Sequence, residues 1–360
     1  MDILEDAPSD LADAPARAPS PQEFSFEFRG SGTEYFRIWI VNLALTIVTV
    51  GIYSAWAKVR RLKYLHGHTV LAGSAFGYHA DPVKILKGRA IGVLFLLAYV
   101  VAGQAHPVAG AVAGLVLGLA MPWLVVKSLK FRLRMTSWRG LRFDFDEDFA
   151  AAYRVYLGWG ALALLSLGLL MPQFVRKLNR FTVEHSAYGA TWFACDPPLR
   201  AIYMAALRAL LFALGAGAVL ALLLGVSIGM SAGTRAAPSP LWQLAPLLMV
   251  LVMYLGGFAI FNAGVLNAVY GSTTLGPHRL HSQLRSMRLA WLYLSNVVAI
   301  VTSLGLLVPW ATIRVLQYRL DTLRLTVVGS LDDFVAQQGD SMPGATGEEI
   351  AEIFDVDFGL

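Results

Sequence analysis

The residues with most chemical scope in this chain are its seven histidines and its one cysteine. His66-Gly67-His68 would be half of a metal site, completed by His79 or His185, because imidazole is a common metal ligand. The chain repeats itself, however, and its repeats set Leu133 and Val183 opposite His66, and Met135 and His185 opposite His68. A pair present in one copy alone reads as interfacial histidine, and no metal is expected. Asp144, Asp146, Glu147 and Asp148 form an acidic knot of the kind that can hold a cation. Arg139 and Arg142 stand beside it and an apolar segment follows it, so the expected role is helix-entry charge and local ion pairing. Cys195 stands alone, which excludes an internal disulfide and a cysteine-based zinc site. There is no serine-triad order, HExxH or Walker-type loop. The expectation is a non-enzymatic protein with no catalytic residues, no cofactor and no metal.

The elements that hold these residues are those of a membrane protein. Hydrophobic residues make up 56% of the chain and charged residues 15%, with a mean hydropathy of +0.57; soluble domains carry about 25% charge. Residues 90–105 with the apolar face before them, 107–126, 203–230 and 241–266 approach or exceed the roughly 20 residues that a bilayer-crossing helix needs. Residues 36–56, 153–174 and 291–310 are apolar but interrupted. The first residues are acidic and rich in Pro and Ala, unlike a secretory signal. Residues 1–22 carry −4 and residues 332–360 carry −8 in a chain of net charge +5, so the body between them is +17. That excess flanks apolar runs, the positive-inside pattern of a multi-pass protein of the bacterial inner membrane with both termini cytoplasmic. It is not a nucleic-acid footprint. The expected partners are a bilayer containing anionic lipids and a protein docked on the acidic C-terminal tail.

One constant offset superposes Gly51 on Gly118, Trp56 on Trp123, Arg60 on Lys127, Lys63 on Lys130 and Phe76 on Phe143. A third copy runs from Met171 to Phe193, a fourth starts at Val308, and a fainter one covers 267–275. The unit reads as a short apolar helix, a Ser/Thr-x-Gly break, a second helix with an aromatic anchor and basic residues, and a strand pair around a glycine. The breaks are Thr49-Val50-Gly51, Ser166-Leu167-Gly168 and Ser303-Leu304-Gly305. Trp56, Trp123, Phe174 and Trp310, with Arg60, Lys127, Lys177 and Arg314, are the candidate interfacial anchors. Asn42, Asn296 and Asn262 are candidate polar residues of a cavity, or else interhelical hydrogen-bonding groups. Trp159 stands at the position of Asn42 in the third copy.

The fold class expected is an α-helical polytopic membrane protein built from internal repeats, each a broken or re-entrant helix, a basic interfacial helix and a short β-hairpin. Small cytoplasmic β elements complete it. Along the chain this gives a disordered acidic tail (1–22), a first unit (23–82) and a transmembrane hairpin with a second unit (83–149). A third unit (150–200), a hairpin with a degenerate unit (201–284), a fourth unit (285–331) and an acidic tail (332–360) follow. Two topologies fit: seven continuous spans, or four spans with the three broken segments re-entrant. Basic residues flank both ends of each broken segment, which favours re-entry.

Residues 28–39 (FRGSGTEYFRIW), 49–60 (TVGIYSAWAKVR), 67–76 (GHTVLAGSAF) and 273–282 (TTLGPHRLHS), with the acidic end 348–360 (EEIAEIFDVDFGL), resemble the YjgN-like family of bacterial inner-membrane proteins. The likeness covers nearly the whole chain from Phe24. It implies location and architecture, and supplies no reaction and no catalytic residue. The long apolar runs carry Gln104, Asn262 and Asn267 but no Asp, Glu, Lys or Arg at mid-depth, which argues against a carboxylate-relay pump. The functional expectation is a module that transports or accommodates a small or lipidic molecule. The alternative is a membrane scaffold whose acidic tail docks a partner protein.

Overall fold

The structure is a computed structural model that describes residues 21–233 and 240–340; most of both acidic tails lies outside the described residues. Strand β1 (Gln22–Phe28) leads into helices α1 (Gly32–Val48) and α2 (Ser54–Gly67), which end on strands β2 (Thr69–Leu71) and β3 (Ser74–Tyr78). The long helices α3 (Pro82–Ala105) and α4 (Pro107–Arg134) end on β4 (Thr136–Trp138) and β5 (Leu141–Phe145). Helices α5 (Phe149–Tyr153) and α6 (Gly160–Leu165), joined by a wider π-helical stretch (Arg154–Trp159), precede α7 (Met171–Glu184), β6 (Ser186–Tyr188) and β7 (Thr191–Cys195). Then come α8 (Leu199–Gly233), α9 (Pro240–Gly271), β8 (Thr273–Leu275) and β9 (His278–Ser282). Helices α10 (Ser286–Thr302) and α11 (Val308–Asp321), strand β10 (Leu323–Val327) and helix α12 (Leu331–Asp340) complete the order.

The strands correct the expected fold class. They are not isolated small elements on a helical protein: all ten close into one antiparallel barrel, in the order β1-β10-β9-β8-β7-β6-β5-β4-β3-β2. The barrel is closed by strands from opposite ends of the described chain, with Phe24 opposite Leu325. Strands of three to seven residues explain the closure. A two-stranded hairpin is marginal alone and leaves unpaired N–H and C=O groups along its edges. Each hairpin edge finds a neighbour once helices set the hairpins side by side. The strand signal was readable locally, whereas edge pairing joins residues as far apart as Gln22 and Val327.

Barrel closure also decides the topology. Each helical pair bridges two strands that are neighbours in the barrel: α1–α2 joins β1 to β2, and α3–α4 joins β3 to β4. The segment from α5 to α7 joins β5 to β6, α8–α9 joins β7 to β8, and α10–α11 joins β9 to β10. Every helical pair therefore leaves and returns to one rim, and the reading with seven continuous spans does not hold. Among the described residues, four helices are long and apolar enough to cross a membrane: Pro82–Ala105, Pro107–Arg134, Leu199–Val226 and Leu244–Gly271. At 17 residues, α1 is about 25 Å long, short of the ~30 Å hydrocarbon core.

The turning points of the three short pairs show what the Ser/Thr-x-Gly break does. The chain reverses through Val50-Gly51, Leu167-Gly168 and Leu304-Gly305, each with both φ angles positive. The hydroxyls of Thr49, Ser166 and Ser303 accept the backbone N–H of Tyr53, Leu170 and Leu307 at 2.9, 3.0 and 3.0 Å. A helix start has N–H groups with no helical partner, and hydrocarbon offers none. At the barrel rim, Thr69, Thr136, Ser186 and Thr273 each donate a hydroxyl to the carbonyl four residues back, at 2.7–2.9 Å, where the helix ends. The apolar core divides accordingly. One cluster fills the barrel interior, and the others lie between helices and at the rim that carries them.

Candidate functional site

Period-two alternation puts every second strand residue inside the barrel. The five contacts between strands joined by helical pairs repeat one pattern: Phe26 faces Leu71, Phe76 faces Trp138, Phe143 faces Tyr188, Phe193 faces Leu275 and Leu280 faces Leu325. These ten side chains form an apolar belt, while Arg142, Trp192, Arg279 and Arg324 on the same strands are exposed outside. The aromatic members touch around the belt, with ring centroids of Phe76 and Trp138 6.1 Å apart and of Phe143 and Tyr188 5.0 Å apart. Eight strands give a barrel whose interior side chains just fill it; ten leave space. The space here is a cavity of about 470 Å³ lined by all ten belt residues. Leu133, Thr182, Val183 and Tyr270, at the ends of α4, α7 and α9, continue its wall toward the helices.

Helix α12 covers the opposite mouth. Leu331, Phe334 and Val335 pack into the barrel cluster, Arg139 pairs with Asp332, and the Gln338 Oε1 accepts the Ala190 N–H at 2.8 Å. Between α12 and the belt sits His278, 2% exposed, with its ring perpendicular to that of Phe334 and centroids 4.5 Å apart. Its Nδ1 accepts the Val328 N–H at 3.3 Å, and burial holds the imidazole below its ordinary pKa. The neutral ring then carries its proton on Nε2, an atom with no hydrogen-bond partner among the described residues. Tyr188 is satisfied: its hydroxyl donates to the Trp138 carbonyl at 3.0 Å, and burial pushes its pKa up. The lumen is thus a carbon-walled chamber, with the His278 imidazole packed between it and α12.

The anchors and polar residues singled out in the sequence lie elsewhere, and several of them meet. Arg314 donates to the Asn296 Oδ1 at 2.9 Å; Arg60 reaches the Asn42 Oδ1 at 3.5 Å and the Tyr53 hydroxyl at 3.1 Å. In the third copy the Lys177 ammonium lies 5.7 Å from the centre of the Trp159 ring. One contact recurs at one repeat position, tying the second short helix to the first. Asn262 accepts from Arg319 at 3.4 Å. Lys127 pairs instead with Glu147 at 2.9 Å, joined there by Lys130 at 3.2 Å. Trp56 stacks on Tyr53, Trp310 packs on Phe36, Trp123 is exposed, and Phe174 lies beside Gly160.

The histidines separate. Nδ1 of His68 and of His185 bonds the carbonyls of Tyr64 and Phe181, four residues back, at matching helix ends, and His79 meets the Ser137 hydroxyl. Among the described residues no three His, Cys, Asp or Glu side chains come together as a metal site. In the acidic knot, Asp144 pairs with Arg134 and the Asp148 carboxylate accepts the Ala151 N–H at the start of α5. The belt itself escaped sequence reasoning. Its only trace was the repeated aromatic at Phe76, Phe143 and Phe193, whose inward direction depends on barrel closure.

Comparisons with known proteins agree with the membrane architecture. A family described as bacterial protein of unknown function (DUF898) matches residues 23–353. An inner membrane protein YjgN of Escherichia coli is 34% identical over 123 residues, 34% of this chain and 31% of the relative. The YjgN of Salmonella typhimurium is 31% identical over 120 residues, 33% of this chain and 30% of the relative. The aligned stretch thus spans about a third of those curated relatives' length. No solved structure matches. With a match to the family over most of its length, inner-membrane relatives and four helices able to cross a bilayer, the chain belongs to the DUF898 family and is a multi-pass inner-membrane protein.

Proposed function

We propose that the protein takes an apolar small molecule or a lipid tail into its barrel lumen and passes it between the bilayer and the compartment that the barrel faces. It acts as a carrier without covalent chemistry of its own. The observation behind this reading is the carbon-walled chamber of about 470 Å³, continued by helix ends on the membrane side and covered by α12 on the other. Ligand pockets of such size are typically apolar with a few placed polar groups. By positive-inside bias the barrel faces the cytoplasm. The scaffold alternative rests on the acidic tail 332–360, of which residues 341–360 lie outside the described residues.

The test is binding of a solvatochromic apolar probe to purified full-length protein, with native mass spectrometry of any molecule it retains. Leu275→Trp fills the lumen. Binding is expected to weaken by about tenfold or more, on the order of 1.4 kcal/mol. A filled variant that binds as the native protein does would remove the lumen from consideration.

A further inference from the structure

We infer that a second site, on the flank of the third short helical pair, holds the phosphate group of an anionic phospholipid. It is separate from the lumen, since none of its wall residues lines the barrel cavity. The site is a cleft of about 280 Å³ between α7 and the segment of α5 and the π-helical stretch, and its cations are Arg154, Lys177 and Arg180. Arg180 is compensated within the protein, by Glu184 of the same wall at 2.8 Å and by Asp196 at 3.1 Å. Asp148, 3.9 Å from His185 of the wall, accepts the Ala151 N–H. Arg154 and Lys177 are placed differently. The Arg154 Nε donates to the Ala150 carbonyl at 3.3 Å, and the Lys177 ammonium faces the Trp159 ring. Among the described residues neither of these two cations meets a carboxylate. Cations gathered around one small volume repel each other, and an anion between them relieves this.

The other repeats act as an internal control. Arg60, Lys127 and Arg314 hold the repeat position of Lys177. Each of them meets a protein oxygen: Arg314 the Asn296 amide at 2.9 Å, Lys127 the Glu147 carboxylate at 2.9 Å and Arg60 the Tyr53 hydroxyl at 3.1 Å. In the third unit Trp159 stands in place of the asparagine and offers a ring face. The N–H donors of Lys177 therefore have no protein oxygen among the described residues. A phosphate supplies such oxygens, and the Arg154 fork can take one in parallel hydrogen bonds. Arg154 and Trp159 are the two ends of the π-helical stretch, and π turns gather at functional sites. Tryptophan beside cations is also the composition of the headgroup level of a bilayer. Lys177 lies six residues into α7, about 9 Å from an apolar tip where Leu164, Leu165 and Leu167 are exposed. Toward that tip the same helical pair carries an apolar groove of about 740 Å³, its wall including Tyr156, Gly160, Leu164, Gly168 and Phe174, with room for an acyl chain. A free phosphate would use the cations and leave that groove empty, so the surface fits a lipid better than a soluble anion.

The experiment uses full-length protein in nanodiscs of phosphatidylcholine alone or mixed with phosphatidylglycerol, with retained lipid read by native mass spectrometry. The native protein is expected to retain phosphatidylglycerol over phosphatidylcholine by about tenfold. Arg154→Gln/Lys177→Gln should lose that preference, and Arg154→Lys/Lys177→Arg, which keeps both charges, should retain it. Phosphatidylglycerol with a photoreactive headgroup supplies a second readout that needs no substitution. Its cross-links on the native protein should fall within residues 151–159 and 177–185, the two sides of the cleft. Equal retention of both lipids by the native protein, an unchanged preference in the glutamine variant, or cross-links confined to other segments overturns the site. Inorganic phosphate added to phosphatidylcholine nanodiscs separates the two sources. Stabilisation equal to that by phosphatidylglycerol, abolished by the glutamine variant, would make the ligand a soluble anion and overturn the lipid assignment.

Discussion

His278 joins burial, lumen and α12 in one side chain. Its folded pKa is held below the ordinary value of about 6.5 by burial. For a histidine lowered in this way the unfolded chain binds the proton more readily. The resulting stability is fully present above about pH 6.5 and is lost as pH falls toward the folded value. Arg139 pairs with Asp332 on the same rim. Hydrogen exchange of residues 331–340 should therefore quicken as pH falls from about 6.5 toward 5, after correction for intrinsic rates, and His278→Gln should flatten the dependence. A slope that persists in His278→Gln would place the titrating group elsewhere. At the same scale, His68 and His185 occupy equivalent helix ends and bond the same kind of carbonyl.

At the scale of elements, the informative unit is the short helical pair with its apolar tip. Val50, Leu167 and Leu304 are 92%, 95% and 94% exposed, and their backbone is left-handed. Exposed apolar tips of this kind belong in hydrocarbon, where the hydroxyl of Thr49, Ser166 or Ser303 is the available acceptor for the next helix. Ser303→Ala removes the acceptor for Leu307 and is expected to cost about 1 kcal/mol, read as a lower melting temperature in lipid nanodiscs. Ser303→Thr, which keeps the hydroxyl, should stay near the native value. Equal melting of both variants would mean that the hydroxyl does not cap the helix. The break was legible in the sequence because Ser/Thr-x-Gly recurs in three copies. Its capping role was not, because a hydrogen bond to a residue four positions on needs the reversal itself.

For the whole molecule, the decisive fact is that β10 closes the barrel against β1 without a turn between them. The other four strand pairs on that rim are tight hairpins, whereas the chain leaving β10 is free to cross the mouth as α12. Ending the chain after Ser330 should leave the barrel strands intact by circular dichroism and speed entry of an apolar probe by about tenfold or more. Unchanged entry would show that guests reach the lumen solely from the helix side. The acidic tail of the sequence reading, 332–360, thus begins within α12, a helix that covers the barrel mouth.

What the sequence determined by itself was periodic and local. Composition placed the chain in a membrane, the repeat located its helix pairs and strand pairs, and charges at both ends of the broken segments pointed to re-entry. Each of these signals lies within a few dozen consecutive residues. Tertiary structure decided what requires distant segments at once. It turned local strand pairs into a ten-stranded barrel and gathered Phe26, Trp138, Tyr188 and Leu325 onto one inner wall. Alternation tells which strand residues share a face, but which face is inside depends on pairing between the two ends of the chain. Nothing local to Gln22–Phe28 or Leu323–Val327 encodes that closure.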